Sequence, residues 1–126
     1  MEIFKAYDVR GTVPDQLDEE KAYAIGRATA HFIGASTLVV GRDARPHSPG
    51  LAESLVRGIL DEGVSVRDLG LISTPILYYG CEKLGVGGGI MVTASHNPAQ
   101  YNGFKICREH AIPVGEASGL REIEAL

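Results

Sequence analysis

Residues 37–40 place the tightest constraint on the fold, because their sequence, TLVV, is continuously apolar or β-branched. A strand with one face in water alternates between polar and apolar residues, so an unbroken run indicates a strand buried on both faces. On either side of it, over residues 18–33 and 49–62, apolar residues recur at steps of three and four, as on one face of a helix. We therefore predict an α/β fold, a three-layer α/β/α sandwich with a mixed, mainly parallel sheet.

The ends of these elements are also marked. Asp18 and Gly34 are typical of the start and end of the first helix, and Ser48, followed by a proline, is the predicted N-cap of the second. The predicted apolar face of the second helix consists of Leu51, Leu55, Ile59 and Leu60. We also predict strands over residues 64–69, 90–92 and 104–106, a turn at residues 102–103, and a helix over residues 76–84 with Tyr78, Tyr79 and Cys81 at least partly inside.

Size and charge exclude several classes of function. At 126 residues and 44% hydrophobic content, the chain suits one globular domain. It contains no apolar run of about 18 residues and no signal-peptide pattern, which predicts a cytoplasmic protein without a membrane partner. A net charge of −4 argues against nucleic acid as a partner. Cys81 and Cys107 lack CxxC spacing and are expected to be buried thiols without a redox role.

The polar turn at residues 93–98, of sequence TASHNP, is the strongest candidate for a functional site. It follows three glycines and the apolar residues 90–92, and Lys105 lies on the strand after it. Polar loops at strand ends are where a rigid scaffold presents chemistry. Ser95 is either a hydroxyl that takes up a phosphoryl group, with amides and cations stabilising the dianion, or a hydrogen-bonded structural residue. The residues alone leave both interpretations open.

Commoner chemistries do not fit this turn. Ser95 lacks the GxSxG context of a hydrolase, and in extended backbone the adjacent His96 points to the opposite face. The glycines at 85 and 87–89 precede a strand and match neither GxGxxG nor GxxxxGK[ST]. The four histidines have no HxH or HExxH spacing, and the sequence has no Asp-x-Asp-x-Asp cluster. It therefore predicts no complete metal site.

Cations beside glycines or in polar turns predict a local anion pocket in this acidic chain; they are Arg10, Arg42, Arg45 and Lys105. Arg10, next to Gly11, either donates to a phosphate or carboxylate or is a solvated arginine at a turn. Arg42 and Asp43 either form an internal ion pair that braces their loop or belong to the anion site.

Three segments together resemble the α-D-phosphohexomutases. Residues 93–98, followed by YNGFKI at 101–106, resemble that family's phosphoserine loop. Residues 4–11 (FKAYDVRG) and 41–45 (GRDAR) resemble the other two motifs of its first domain, in the same order and at compatible spacing. The residues of these motifs are more similar to those of the phosphomannomutase/phosphoglucomutase branch than to those of the alternative, the phosphoglucosamine mutase branch.

The resemblance implies that the complete enzyme interconverts the 1- and 6-phosphates of glucose or mannose through a hexose 1,6-bisphosphate. Ser95 would give and take back the phosphoryl group, and one phosphoryl oxygen on Ser95 would bind Mg²⁺. Its implied catalytic neighbours are His96, Lys105 and Arg10. The implied substrate contacts are Tyr7, Arg10, Thr93 and Asn97, with Arg42 and Asp43 as support for the loop.

The resemblance further implies that residues 1–126 are domain I, an excised or truncated part of a four-domain enzyme. The Asp-rich metal loop, the sugar-reading loop and the phosphate-gripping loop of the other three domains do not occur in this sequence. We therefore expect the chain alone to be inactive, with the remaining domains of the same enzyme and a hexose phosphate as partners. The hypothesis from another class is a stand-alone anion-binding or interaction module without turnover.

Overall fold

A mixed sheet forms the centre of the protein in a computed structural model that describes residues 3–126. Along the chain the elements are β1 (Val9–Thr12), α1 (Glu19–Ile33), β2 (Thr37–Arg42), α2 (Ser48–Asp61), β3 (Ser65–Leu71), α3 (Thr74–Leu84), β4 (Gly88–Val92), β5 (Tyr101–Arg108), β6 (Ile112–Pro113) and α4 (Leu120–Ala125). Across the sheet the order is β1-β5-β4-β2-β3, and the short β6 pairs with β5.

Strand direction decides where the loops meet. β2 pairs in parallel with β3 and β4, whereas β5 pairs antiparallel with β4, β1 and β6. Within the described sheet, β5 is therefore the strand that runs against all the others, which confirms a mixed, mainly parallel sheet. The carboxyl ends of β1, β2 and β4 and the start of β5 consequently lie at one edge.

The predicted burial of β2 on both faces is confirmed. Leu38 and Val40 belong to the larger apolar core, which they share with residues of α1, α2 and α4. Val39 points to the other face and packs with Leu77 and Cys81 of α3. The sheet thus lies between α1, α2 and α4 on one side and α3 on the other, as a three-layer sandwich. Within residues 3–126, no helix has the length and apolar character needed to cross a bilayer.

The helix ends agree with the sequence in α1 but not in α2. Asp18 caps α1 by accepting a hydrogen bond from the Lys21 amide (2.9 Å), and Gly34 ends the helix with a φ of 68°. The prediction of Ser48 as an N-cap is wrong, because Ser48 is the first residue of α2 and follows the cap residue His47. The Ser48 hydroxyl donates to the Asp43 carboxylate instead.

Two predictions of burial and one of a turn are also wrong. Leu60 and Tyr79 are 52% and 66% exposed, because each follows the core face of its helix by one residue. Residues 102–103 lie inside β5, and the side chain of Asn102 is fully buried. Gly103 allows β1 and β5 to lie close together and does not form a turn, since a Cβ there would lie 1.9 Å from the Val9 carbonyl oxygen.

The two cysteines are free thiols buried between α3 and the sheet, as predicted. Burial, together with the neighbouring Cys81, raises the pKa of Cys107 to about 12. The Cys107 thiol is therefore protonated at neutral pH, which suits a packing role.

Glycines allow α1 and α2 to pack with their backbones in contact. A Cβ on Gly26 would lie 2.2 Å from the Leu55 carbonyl oxygen, and one on Gly58 would lie 2.2 Å from the Tyr23 carbonyl oxygen. Both obstacles are backbone atoms of the opposite helix, so no side-chain rotation relieves them. This close pair covers the face of the sheet from which the Leu38 and Val40 side chains project.

We expect Gly58→Ala to lower the free energy of unfolding by about 1–3 kcal/mol, because the helices must separate to admit the methyl group. Gly50→Ala is the matched control in the same helix, since its Cβ would meet the carboxylate end of Glu19, which is exposed. The control should be neutral or gain up to about 1 kcal/mol of helix propensity. Urea unfolding measures both values, and equal stabilities would contradict the packing argument.

Candidate functional site

The candidate site lies where two loops leave adjacent parallel strands. Residues 93–98, which we call the serine loop, follow β4, and residues 43–47 follow β2. The pairing of Arg42 with Val92 brings both loops to the same edge of the sheet. The Asp43 amide donates to the Val92 carbonyl oxygen at 3.0 Å, so the two loops start in direct contact. This edge is where open α/β sheets bind ligands.

Ser95 is held in an unusual backbone conformation by hydrogen bonds from its neighbours. Its φ is +55°, in the left-handed region that non-glycine residues seldom occupy. The Ser95 amide donates to the Thr93 hydroxyl oxygen (3.0 Å), and the Thr93 hydroxyl donates to the Asp43 carboxylate (2.7 Å). Thr93 is buried, whereas Ser95 is exposed. The turn therefore presents Ser95 to solvent from a buried support.

Arg45 fixes the carbonyl oxygens of the serine loop and its exit. Its guanidinium donates to those of residues 95, 97, 98 and 101, at 2.8–3.0 Å. Its Nε lies 3.3 Å from Oδ2 of Asp43, which makes Arg45 the ion-pair partner of that carboxylate. Of the two interpretations of Arg42 and Asp43, an ion pair between them is therefore not the one that the structure has. Arg45 also has no N–H donor left for the predicted anion pocket, since all five of its side-chain donors serve Asp43 and these four carbonyl oxygens.

Asp43 joins the two loops and α2. Its carboxylate accepts hydrogen bonds from the hydroxyls of Ser48 (2.6 Å) and Thr93 (2.7 Å) and from the Arg45 amide (3.1 Å). Burial acts to raise the pKa of Asp43, but these three hydrogen bonds and the Arg45 charge outweigh it, so the pKa is lowered. Asp43 is therefore ionised at neutral pH and contacts the serine loop through Thr93.

Arg42, the other predicted support, lies half-buried at the end of β2. Within residues 3–126 its side chain makes no hydrogen bond or ion pair that would brace the serine loop. Only its main chain has a clear structural role here, because its carbonyl oxygen accepts the Ile72 amide at 3.0 Å. The side chains that contact the serine loop from this segment are therefore those of Asp43 and Arg45.

Arg10 reaches the serine loop from β1. Its Nη1 lies 3.5 Å from Oδ1 of Asn97, and its Nε lies 3.4 Å from the Asp8 carboxylate. The Arg10 side chain is 36% exposed, and its buried Nε makes no well-aligned hydrogen bond. Asn97 in turn donates from its side chain to the Ala94 carbonyl oxygen at 2.7 Å and closes the loop. The Arg10 guanidinium thus contacts Asn97 and Asp8 but remains partly exposed to solvent.

Lys105 lies on the same face of the sheet as Arg10. Arg10 pairs with Gly103, two residues before Lys105 on β5, and Lys105 pairs with Met91, which packs against α3. Residues opposite each other in a pair share a face, as do residues two apart. Both cations therefore lie on the α3 face. Among residues 3–126 the half-buried Lys105 ammonium has no hydrogen-bond or ion-pair partner.

Two predicted site residues are less tied to the serine loop. His96 is exposed within it, and its ring makes no hydrogen bond to the described part of the chain. Tyr7 is 84% exposed in the turn that precedes β1, beside a hollow of about 480 Å³ that it shares with Gly115 and Ser118. That turn adjoins the amino end of β1. The serine loop lies near the opposite, carboxyl end of β1, where Thr12 pairs with Tyr101. Their roles stay predictions.

Thr93 and Asn97 were predicted to contact substrate. In the structure their polar side chains are already engaged within the protein, with Asp43 and Ser95 for Thr93 and with Ala94 and Arg10 for Asn97. Both residues thus shape the serine loop, and a direct contact with substrate stays a prediction.

A magnesium site cannot be built from this part of the chain. Residues 3–126 bring no three His, Cys, Asp or Glu side chains together in a way that could hold a metal ion. Asp43, the carboxylate at the serine loop, already accepts from Ser48, Thr93 and Arg45. We derive no step through Mg²⁺, and its contact with a phosphoryl group on Ser95 stays a prediction.

Three further residues lie at this site without having been predicted from sequence. Ser48 and Asn102 are fully buried polar residues, and the Asn102 side chain donates to both Ser48 Oγ and His47 Nδ1 at 2.8 Å. His47 Nε2 in turn donates to the Ala99 carbonyl oxygen. His47 and Ser48 follow the segment GRDAR at 41–45, but nothing in the sequence there indicates that they would meet Asn102, which lies 54 residues beyond Ser48.

Comparison with known proteins agrees with this architecture. A family model described as phosphoglucomutase/phosphomannomutase, alpha/beta/alpha domain I, matches residues 1–126. A phosphoglucomutase/phosphomannomutase family protein from Burkholderia thailandensis superimposes with a TM-score of 0.87 at 36% identity, over 98% of this chain and 29% of that one. A structure from Thermus thermophilus gives a TM-score of 0.90 at 29% identity, again over 98% and 29%.

Curated relatives give the same picture. A phosphomannomutase from Klebsiella pneumoniae is 49% identical over 98% of this chain and 78% of its own length. One from Escherichia coli is also 49% identical over 98% of this chain, but over 27% of its own length. The chain thus spans about a quarter of the length of the second relative and most of the first.

Replacing Arg45 by lysine tests its role in the loop. A single ammonium group cannot reach four carbonyl oxygens, and a hydrogen bond from a charged donor is worth about 1.5–3 kcal/mol, so we expect a loss of about 2 kcal/mol or more of unfolding free energy. Arg42→Lys is the control and should stay within about 0.5 kcal/mol. Thermal unfolding followed by circular dichroism compares them, and an equal effect of both changes would contradict the assignment.

Proposed function

The chain belongs to the phosphoglucomutase/phosphomannomutase family as its alpha/beta/alpha domain I, and from this we propose that it carries the transferred phosphoryl group of a phosphohexomutase on Ser95. In the complete enzyme, the reaction is the interconversion of hexose 1-phosphate and hexose 6-phosphate, with glucose or mannose as the sugar. The relatives named phosphomannomutase support this substrate class.

The observation that carries the proposal is the conformation of Ser95. An exposed serine with a φ of +55° stores backbone strain, and such residues persist only where the surroundings fix them. Here the surroundings are the Thr93 hydroxyl on the Ser95 amide and the Arg45 guanidinium on the Ser95 carbonyl oxygen. Both main-chain groups of Ser95 are engaged, which leaves its hydroxyl free at a fixed position. That is what a group that accepts and donates phosphate requires.

The proposed reaction has two transfers. A hydroxyl of the hexose monophosphate attacks the phosphorus on Ser95, and the new phosphorus–oxygen bond forms as the bond to Ser95 Oγ breaks. The proton of the attacking hydroxyl passes through the proton-transfer groups to the departing Ser95 oxygen. The resulting hexose 1,6-bisphosphate then returns its other phosphoryl group to Ser95 Oγ. The serine ends phosphorylated as it began, and the phosphate has changed position on the sugar.

Cations at the α3 face support these transfers. Phosphoryl transfer spreads negative charge over the equatorial oxygens, and fixed positive groups lower the energy of that state. Lys105 has no anionic partner in the described structure, and Arg10 is only partly neutralised by Asp8, so both have charge to offer. We assign proton transfer to His96 and Lys105, and contact with substrate to Tyr7 and Arg10.

Other parts of the complete enzyme complete the site in this proposal. The E. coli relative is several times longer than the matched segment, which leaves room for the Mg²⁺ ligands and the groups that bind the sugar. Hexose 1,6-bisphosphate serves as intermediate and activator. A cytoplasmic location is part of the proposal and is supported by two buried, unpaired thiols.

A stand-alone anion-binding module is the second candidate, because residues 3–126 assemble no metal site of their own. It shares the exposed serine and the free Lys105 with the first proposal. The two differ in covalent chemistry: a module binds phosphate reversibly, whereas a mutase domain carries it on Ser95.

We expect Ser95 to be the phosphorylated residue in the complete protein. Incubation with glucose 1,6-bisphosphate should add about 80 Da to one peptide, because one phosphoryl group replaces one hydroxyl proton. Ser95→Ala should abolish the addition, while Ser73→Ala and Ser118→Ala serve as controls that retain it. Intact mass and peptide mapping give the answer, and phosphate found only at another residue would defeat the assignment.

We also expect residues 1–126 alone not to turn over glucose 1-phosphate, since they hold no Mg²⁺ site within the described region. A coupled assay with glucose 1-phosphate, its bisphosphate and Mg²⁺ tests this. The complete polypeptide that carries this sequence is the positive control. Turnover by the 126 residues would show that the chemistry needs nothing beyond them.

A further inference from the structure

Fully or nearly fully buried polar side chains are rare in this protein, and most of them lead to Ser95. Within residues 3–126 they are Thr29, Ser48, Thr93 and Asn102. Thr29 stands apart in α1, and its hydroxyl has no partner. The other three come from α2, the serine loop and β5 and meet through the Asp43 carboxylate. Burial of polar groups costs free energy unless they are bonded, so such a convergence demands an explanation.

Each hydrogen bond in this group has a fixed direction. The Gly103 amide donates to Asn102 Oδ1 (2.8 Å), so the Asn102 side-chain nitrogen must face Ser48 and His47. Ser48 Oγ accepts a hydrogen bond from that nitrogen, and the Ser48 hydroxyl donates one to Asp43 Oδ1. Asp43 Oδ2 accepts from Thr93, whose oxygen is then available to the Ser95 amide. The orientation of one asparagine therefore propagates to the backbone of Ser95.

We propose that Ser48 and Asn102 are positioning residues for phosphoryl transfer at Ser95. They fix the Asp43 carboxylate, and through Asp43 and Thr93 they hold the left-handed turn that presents the Ser95 hydroxyl. This inference rests on the proposed function of Ser95. Neither residue touches substrate, because both are fully buried.

Charge makes the arrangement sensitive to the loss of either residue. The Asp43 carboxylate faces the Arg45 guanidinium, and His47 lies beyond Asn102 with its Nδ1 as a hydrogen-bond acceptor. Without the Ser48 hydroxyl, Asp43 Oδ1 keeps only the Arg45 amide at 3.1 Å. Because the Ser48 hydrogen bond helps to lower the pKa of Asp43, its loss raises that pKa. Once protonated, Asp43 is a poorer acceptor for Thr93, and the Ser95 turn loosens.

Ser48→Ala in the complete polypeptide is the first test. We expect kcat for glucose 1-phosphate to fall about 10- to 100-fold with little change in KM, since small misplacement of a reacting group has effects of that size. The acid limb of the kcat–pH profile should also move to higher pH, at pH values where circular dichroism shows that the variant is still folded. Ser54→Ala, in the same helix and without a hydrogen bond of its hydroxyl in the described structure, is the matched control.

Asn102→Asp is the second test and does not change the size of the side chain. It replaces the donating nitrogen by an oxygen. The single proton of the Ser48 hydroxyl could then be donated either to Asp43 or to the new carboxylate, but not to both. We expect a loss of kcat at least as large as that of Ser48→Ala. The double variant should have a kcat no lower than that of the less active single variant, because both residues act through the same series of hydrogen bonds. Gln100→Glu adds the same charge at an exposed neighbour and should have little effect.

The outcomes separate the two proposals. If Ser95 of the unchanged protein never takes up phosphate, the proposed function is overturned. If Ser95 is phosphorylated but Ser48→Ala and Asn102→Asp keep the kcat and the acid limb of their controls, the positioning role is overturned. A lower kcat with a shifted acid limb in either variant supports it.

Discussion

The candidate site depends on the hydrogen bonds that the Asp43 carboxylate accepts. This carboxylate accepts a hydrogen bond from α2 through Ser48, one from the serine loop through Thr93, and one from its own loop through the Arg45 amide. Each donor comes from a different segment, so the position of Asp43 fixes all three relative to one another. Hydrogen bonds to a charged acceptor are the stronger kind, and here they outweigh the burial that would favour a neutral acid.

The topology explains why one carboxylate can do this. β2 and β4 are parallel neighbours, so the loops after them start at the same edge. β5 then returns antiparallel beside β4 and delivers Asn102 to the base of the same loops, while β1 pairs with its outer side and brings Arg10 to Asn97. The one reversed strand in the described sheet thus supplies both a buried support and, through Lys105, a cation on the α3 face.

Much of this fold could be predicted from sequence, because local patterns determine it. The unbroken run at 37–40 predicted a strand buried on both faces, and Asp18 and Gly34 marked the limits of α1. The failures concern tertiary partners. Ser48 followed by proline is typical of an N-cap, yet its hydroxyl is drawn to Asp43, and the Asn-Gly pair at 102–103 indicates a turn, yet burial of Asn102 and contact with Val9 make it strand. The serine loop stays the predicted candidate site. Two residues of its support, Ser48 and Asn102, could not be predicted, because they lie 54 residues apart in sequence and neither carries a local signal of their contact.

The role of Arg45 changes the electrostatics of the site. An arginine in a polar turn suggests an anion contact, but this one donates to four carbonyl oxygens and pairs with Asp43, so its charge is largely spent on the loop itself. The phosphoryl group that we propose on Ser95 would then need other cations as partners. We propose Arg10 and Lys105 as these partners, since both lie on the α3 face of the sheet and neither is fully neutralised. The chain therefore separates two tasks that sequence alone assigned together: Arg45 and Asp43 make the loop rigid, and Arg10 and Lys105 leave charge available to the group that the loop presents.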